Sequence, residues 1–324
     1  MRLLEFLTGK RFSFPFVYSD EYWMVDLGKS VVPVRKYRLI YERLLALGVR
    51  KENFLESPLI DDEDILRVHT AKYISKLKTG ELTKAEIQAL ELPFSPELSR
   101  FAWLHVGGTA LACERALACG LAFHLGGGFH HAFADHGEGF CALNDTAVAL
   151  EKLKAEGLIR RAMIVDCDVH QGNGTAAFFT GREDIFTFSI HQMDIYPAEK
   201  PPSRLDVGLW SGDGDEAYLT AMQAHFPALY ESFRPDLVVY LAGADPLTGD
   251  KLGGLTMTLE GMAERDRIVI EGARRLNIPL AVVLAGGYGR ELEDTVQVHM
   301  NTIKVAQKAG VRRRLTGRAG SEPA

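Results

Sequence analysis

Asp166-Cys167-Asp168-Val169-His170-Gln171-Gly172-Asn173-Gly174 follows directly on the apolar run Ala162-Met163-Ile164-Val165. A short apolar run that opens onto charge reads as a buried strand reaching the carboxyl edge of a parallel sheet. Two carboxylates and an imidazole then stand where α/β enzymes gather their chemistry. Asp168 and His170 are two apart, so in extended chain they point the same way and can share one cation. Oxygen and nitrogen donors of this kind suit Zn²⁺, Fe²⁺ or Co²⁺. The plain alternative is a solvated loop of turn residues, but charges packed against a buried strand are costly unless paired or coordinated.

Working outward, three further segments repeat the pattern. Leu125-Gly126-Gly127-Gly128-Phe129-His130-His131 presents tandem imidazoles after a glycine run with permissive dihedrals. Leu237-Val238-Val239-Tyr240-Leu241-Ala242-Gly243-Ala244-Asp245 is another apolar strand ending in a carboxylate, with Asp250 just beyond. Ala281-Val282-Val283-Leu284-Ala285-Gly286-Gly287-Tyr288 runs into a Gly-Gly hinge carrying a phenol. Each has an ordinary alternative: a structural His pair, an Asp acting as a helix cap, a turn with a packed aromatic. Four strand ends with catalytically capable side chains are hard to explain as separate coincidences.

Between these lie helical stretches: Val34 to Leu47, Ile65 to Leu77, Leu98 to Cys119, Asn144 to Ala155, Glu216 to Phe233, Leu259 to Leu276 and Leu292 to Lys308. Further strands are expected at Phe123 to Leu125 and Asp184 to Ile190. The alternation predicts an α/β fold, a parallel sheet covered by helices on both faces. No repeat or linker divides it, so residues 1–310 read as one catalytic domain and the basic stretch 311–324 as a flexible tail. The charged segment Leu77 to Glu97 reads as a loop at the rim of the site.

Together the His pair, the Asp-x-Asp-x-His-x-Gly-Asn-Gly-Thr run, the Gly-x-Asp-x-x-x-x-Asp run and the Gly-Gly-Tyr resemble the histone deacetylase family, in the bacterial branch similar to class IV deacetylases. The likeness extends from about Phe16 to Val305. It implies the arginase–deacetylase fold, a single-domain α/β/α sandwich. It also implies Asp168, His170 and Asp245 as metal ligands, Tyr288 as donor to the oxyanion, and His131 as general base with His130 beside it. By the same resemblance Asp166 pairs with His130 and Asn173 with His131, although Asn173 also suits a glycine-flanked turn. A carboxylate favours imidazolium whereas an amide only orients the ring, so His130 is expected to be the more basic and His131 to titrate near neutrality. Gly139 and Phe140 match a substrate channel, with the Gly139 carbonyl accepting from the substrate amide and Tyr196 forming the opposite wall; Phe140 can also be read as a core residue. Asp166, Asp168, His170 and Ser189 match a monovalent-cation site, usually K⁺. The chain departs from the family at Gly28-Lys29, where a Gly-His pair is frequent and pocket selectivity is at stake, and at His136.

The expected activity is therefore zinc-dependent hydrolysis of an acylated lysine or polyamine, with long-chain acyl-lysine as a further substrate class. A non-catalytic acyl-lysine binding module and an arginase-like dimanganese ureohydrolase are the competing readings. The 324 residues, net charge −6, imply no general affinity for nucleic acid. No stretch approaches the roughly 20 apolar residues of a membrane span, and Met1 to Leu7 lacks the apolar core of a signal peptide. Four cysteines without a Cys-x-x-Cys pair point to a reduced, cytoplasmic setting. Nothing in the sequence specifies an oligomeric state.

Overall fold

The computed structural model describes residues 12–316, with side chains described to residue 310. In chain order come β1 (Phe16–Tyr18), α1 (Arg35–Ala46), β2 (Phe54–Glu56), α2 (Asp62–Ile65), α3 (Ala71–Thr79), α4 (Lys84–Leu90), α5 (Pro96–Cys119), β3 (Leu121–His124), α6 (Asp145–Ala155), β4 (Ala162–Asp166), α7 (Asn173–Phe179), β5 (Ile185–Gln192), β6 (Leu205–Leu209), α8 (Asp215–His225), α9 (Ala228–Phe233), β7 (Leu237–Leu241), α10 (Leu259–Arg275), β8 (Leu280–Val283) and α11 (Leu292–Thr316).

The strands form one eight-stranded sheet in the order β2-β1-β3-β8-β7-β4-β5-β6. Every pairing is parallel. The inner strands β3, β4, β5, β7 and β8 are buried throughout, as expected of a parallel sheet covered on both faces. Crossovers that run leftward in this order (β1 to β2, β6 to β7, β7 to β8) and those that run rightward (β2 to β3, β3 to β4, β4 to β5) must place their helices on opposite faces if all are right-handed. The packing agrees: α10 lies against α8 and α11, and α11 against α1, while α5 packs on α6 and α3, and α6 on α2 and α7. The result is the α/β/α sandwich of the arginase–deacetylase fold.

Local chemistry sets the element ends. Helix α5 begins where the Ser95 side chain accepts the Leu98 N–H with Pro96 in the first turn, and stops at Gly120 in the left-handed region. Four expectations change. The helix expected from Ile65 to Leu77 is broken, because Thr70 caps α3 and gives its own N–H to the Ala134 carbonyl. The helix expected from Glu216 to Phe233 divides at Pro227, which has no N–H to continue the ladder. The rim segment is not all loop: the Thr83 hydroxyl and the Glu86 carboxylate form a reciprocal cap that starts α4. Helix α11 passes the expected end at Lys308 and runs to Thr316. The Met1 to Leu7 reading and residues 317–324 of the expected tail lie outside the described residues.

Candidate active site

The four strand ends singled out in the sequence belong to adjacent central strands, β3, β8, β7 and β4. Their loops therefore converge on one spot at the carboxyl edge. Asp168, His170 and Asp245 are buried there, with one ligand atom from each within 4.8 Å of the others. His170 Nδ1 lies 3.2 Å from Asp168 Oδ1 and 3.8 Å from Asp245 Oδ2. Backbone N–H groups hold the carboxylates: Val169 donates to Asp245 Oδ1 at 2.8 Å and Gly286 to Asp168 Oδ2 at 2.8 Å. Asp245 Oδ2 has no hydrogen-bond partner although it is buried. Burial, then Asp168 and Asp250, push the Asp245 carboxyl well above its ordinary range. A buried oxygen with no donor, in a cluster of two carboxylates and one imidazole, fits a divalent cation. Gly286 is obligatory beside it, since a Cβ there would stand 2.1 Å from Asp245 Oδ2.

Beneath this edge a fully buried guanidinium joins two of the strand ends. Arg265 of α10 donates to the carbonyls of Cys167 and Gly243 at 3.3 and 2.7 Å. Its charge is met by Asp266 at 2.8 Å, whose carboxylate also accepts from Tyr240 and Thr302 at 2.6 Å.

The histidines are paired as expected. His130 Nδ1 lies 2.7 Å from Asp166 Oδ2, and His131 Nδ1 lies 2.7 Å from Asn173 Oδ1. Their Nε2 atoms are 3.1 Å apart. Burial alone would depress His130, but Asp166 and Asp168 outweigh it and raise the imidazole to about 9. His131 departs from the expectation of titration near neutrality: burial, followed by His130 and His170, pushes it well below its ordinary value. A neutral amide partner cannot reverse that burial cost.

A cavity of about 330 Å³ opens onto these groups between Phe140, Tyr196, Tyr288 and His170. Gly139 and Phe140 both have positive φ, 51° and 66°. Their turn is held because Gly139 and Phe140 donate to the Ala89 and Leu90 carbonyls at the end of α4, at 3.0 and 2.9 Å. A Cβ on Gly139 would meet His131 and the Tyr196 hydroxyl, each at 2.9 Å. The Tyr288 ring sits 6.0 Å from that of Phe140. Burial and the neighbouring Asp168 and Asp245 raise its phenol well above the usual value, so it stays protonated. Ser189 pairs in register with Asp166 across β4 and β5, but its hydroxyl bonds His191 Nδ1 at 2.9 Å. A larger open depression of about 790 Å³ lies at the amino ends of the strands, around Arg160, Asp236 and Asn277, and has none of these groups.

Some participants escaped the sequence reading. Lys36 is buried at the cavity wall and donates to the Ala285 carbonyl at 2.7 Å. Burial lowers its ammonium to about 8, partly offset by Asp245, Asp168 and Asp250. With Tyr37 it extends the wall formed by Val32 and Pro33, the end of the segment expected to border the pocket; Gly28 and Lys29 themselves do not line the cavity. No local signal marks it, because a Lys on an amphipathic helix ordinarily faces water. Glu138 accepts from Asn173 Nδ2 at 2.8 Å and from the Tyr196 hydroxyl. His136 stacks on Phe133 and bonds Asp135 at 2.7 Å, away from the cluster.

Fold and site together define a metal-dependent hydrolytic enzyme of the α/β class. A family profile described as the histone deacetylase domain matches residues 31–303, and the chain belongs to the histone deacetylase family. It is 39% identical over 287 residues to an uncharacterized protein of Picosynechococcus, covering 88% of this chain and 96% of that one. It is 31% identical to histone deacetylase 2 of Arabidopsis thaliana, covering 91% and 79%, and 32% identical to the histone deacetylase-like amidohydrolase of Pseudomonas aeruginosa, covering 72% and 65%. The crystal structure of the HDA15 HD domain superposes with a TM-score of 0.76 over 94% of this chain and 92% of that one, at 24% identity, a likeness of fold alone.

Proposed function

We propose that the chain is a zinc-dependent deacylase that hydrolyses the amide of acetyl-lysine or a related acylated amine. The carrying observation is the unpartnered Asp245 Oδ2 within the Asp168, His170 and Asp245 cluster, whose Asp168 and His170 line the same cavity as His131 and Tyr288. A divalent cation held by these three residues, Zn²⁺ with Fe²⁺ or Co²⁺ as substitutes, supplies Lewis acidity toward the amide carbonyl and makes water more acidic. His131, neutral because of its burial, accepts the water proton and later gives it to the leaving amine. His130, fixed by Asp166, stays cationic beside it and adds positive field. Tyr288 donates its phenolic hydrogen to the oxygen that gains charge. Phe140 and Tyr196 sandwich the alkyl arm, and the Gly139 carbonyl accepts the substrate N–H. Asp166, Asp168, His170 and Ser189 form the monovalent-cation site, with K⁺ as its ion.

Glu91, exposed on the rim of the same cavity, keeps acetylpolyamines in contention, since a second ammonium on the substrate would meet it. The catalytic unit is residues 1–310. Four unbonded cysteines support a cytoplasmic setting, and no helix among the described residues is long and apolar enough to cross a membrane. A hydrolysis screen over acetyl-lysine peptides, acetylpolyamines and longer acyl-lysines, with and without Zn²⁺, tests the reading. Turnover that requires the metal supports it; bound acyl-lysine without turnover would make the chain a binding module. Two metal ions per chain and urea release would make it a ureohydrolase.

A further inference from the structure

Glu138 occupies the turn between the His pair and the channel residues. Its backbone is locked by Glu138 N–H to the Cys141 carbonyl at 3.1 Å and Cys141 N–H to the Glu138 carbonyl at 2.9 Å. Its side chain is about a quarter exposed, with Oε2 3.6 Å from His136 Nε2. Oε1 accepts from both Asn173 Nδ2, at 2.8 Å, and the Tyr196 hydroxyl.

We propose that Glu138 is a positioning residue that sets the tautomer of His131 through Asn173 and pins Tyr196 as the facing wall. The logic is one of donors and acceptors. An asparagine can present either an oxygen or an NH₂ to a neighbour. A carboxylate only accepts, so the NH₂ of Asn173 turns to Glu138 and its carbonyl oxygen turns to His131. That oxygen also only accepts, so His131 Nδ1, 2.7 Å away, must carry the hydrogen. The lone pair is then left on His131 Nε2, the nitrogen that faces His130 and the cavity. The hydrogen bond at one ring nitrogen selects the tautomer at the other. Without Glu138 the amide is free to rotate, and an NH₂ facing His131 would place the lone pair on Nδ1, away from the substrate. The catalytic consequence rests on the proposed role of His131 as proton acceptor; the tautomer itself does not.

The test uses the zinc-loaded full chain with ¹⁵N-labelled histidine, His131 being assigned by its loss in His131→Ala. Wild type and Tyr196→Phe should show His131 protonated on Nδ1. Glu138→Gln should do the same, because the Gln oxygen can accept from both partners. Glu138→Ala should shift His131 toward the Nε2–H form and lower kcat/KM by about tenfold, the usual scale for an orienting partner. In an Asn173→Ala background, Glu138→Ala should cost no more than Tyr196→Phe does there, since only the contact to the Tyr196 hydroxyl is left to lose. An unchanged Nδ1–H signal in Glu138→Ala overturns the proposal, as does a full repeat of the loss in the Asn173→Ala background. A wild-type chain that hydrolyses no acylated amine refutes the deacylase reading instead, and the tautomer spectrum then decides this inference by itself.

Discussion

Asp250 Oδ2 accepts the backbone N–H of Tyr288 at 2.6 Å, while its Oδ1 accepts those of Leu252 and Gly253 at 2.8 and 3.2 Å. One carboxylate thus ties the Gly-Gly-Tyr hinge after β8 to the loop after β7. Tyr288→Phe should leave metal content at the wild-type level and lower kcat by about 10²-fold or more, the scale for one lost oxyanion donor. Asp250→Ala should act in the same direction by loosening the hinge. Wild-type turnover in Tyr288→Phe would remove the phenol from the mechanism.

Asp168→Ala or Asp245→Ala should lose the metal and the activity together, read by metal analysis after gel filtration. Asp245→Asn adds a stability test in the metal-free state. Asp245 has a raised carboxyl pKa when folded, so folding gains from it below the ordinary value near about 4 and loses that gain as pH rises through the raised value. The Tm advantage of Asp245→Asn over chelated wild type should therefore widen from about pH 5 to about pH 8. With Zn²⁺ present the order should reverse, because only wild type retains the full ligand set. A constant Tm gap across that range would contradict the strained, unpartnered carboxylate.

Gly286→Ala places a methyl group 2.1 Å from Asp245 Oδ2 and 2.6 Å from Asp168 Oδ2. Neither oxygen is the far end of a flexible chain, so the ligands must move. The variant should fold yet take up little metal, measured as zinc per chain. Gly48→Ala is the control for backbone strain alone: its added Cβ meets nothing within 4 Å but sits at φ +84°, so it should lower Tm while zinc uptake stays at the wild-type level.

The site was legible in the sequence because each of its groups ends an inner strand, and inner strands announce themselves as apolar runs. The outer strands did not: β2 at one edge and β1 beside it have three residues each, and β6 at the other edge shows only alternating partial burial behind Pro201 and Pro202. The outline of the sandwich was readable from βα alternation, whereas the order of its strands required the pairings. Lys36 and Glu138 stayed hidden for a different reason. Their partners lie 249 and 35 residues away in the chain, at Ala285 and Asn173, and no local pattern reports such contacts. The pairings of His130 and His131 were accessible only through family resemblance, and even then the depth of burial that lowers His131 was not.

That burial bears on the pH profile of the His pair. A general base must be neutral, and His131 is pushed well below its ordinary value of about 6.5 by burial, then by His130 and His170. The acidic limb of kcat/KM should accordingly lie below about pH 6.5, and His131→Ala should remove most turnover together with that limb. His130 is raised to about 9 and remains cationic across the working range. Its contribution to stability is present below about 6.5 and is lost as pH climbs through about 9. His130→Ala should therefore be milder, and it should move the acidic limb to higher pH, because a cation that opposed protonation of His131 has gone. Asn173→Asp should move the limb the same way by a different route, placing a carboxylate 2.7 Å from His131 Nδ1 where imidazolium is favoured. The three profiles, measured on one acetyl-lysine substrate, separate the two imidazoles. A limb unmoved by Asn173→Asp, or a deeper loss in His130→Ala than in His131→Ala, would show that the roles of His130 and His131 are the reverse of those assigned.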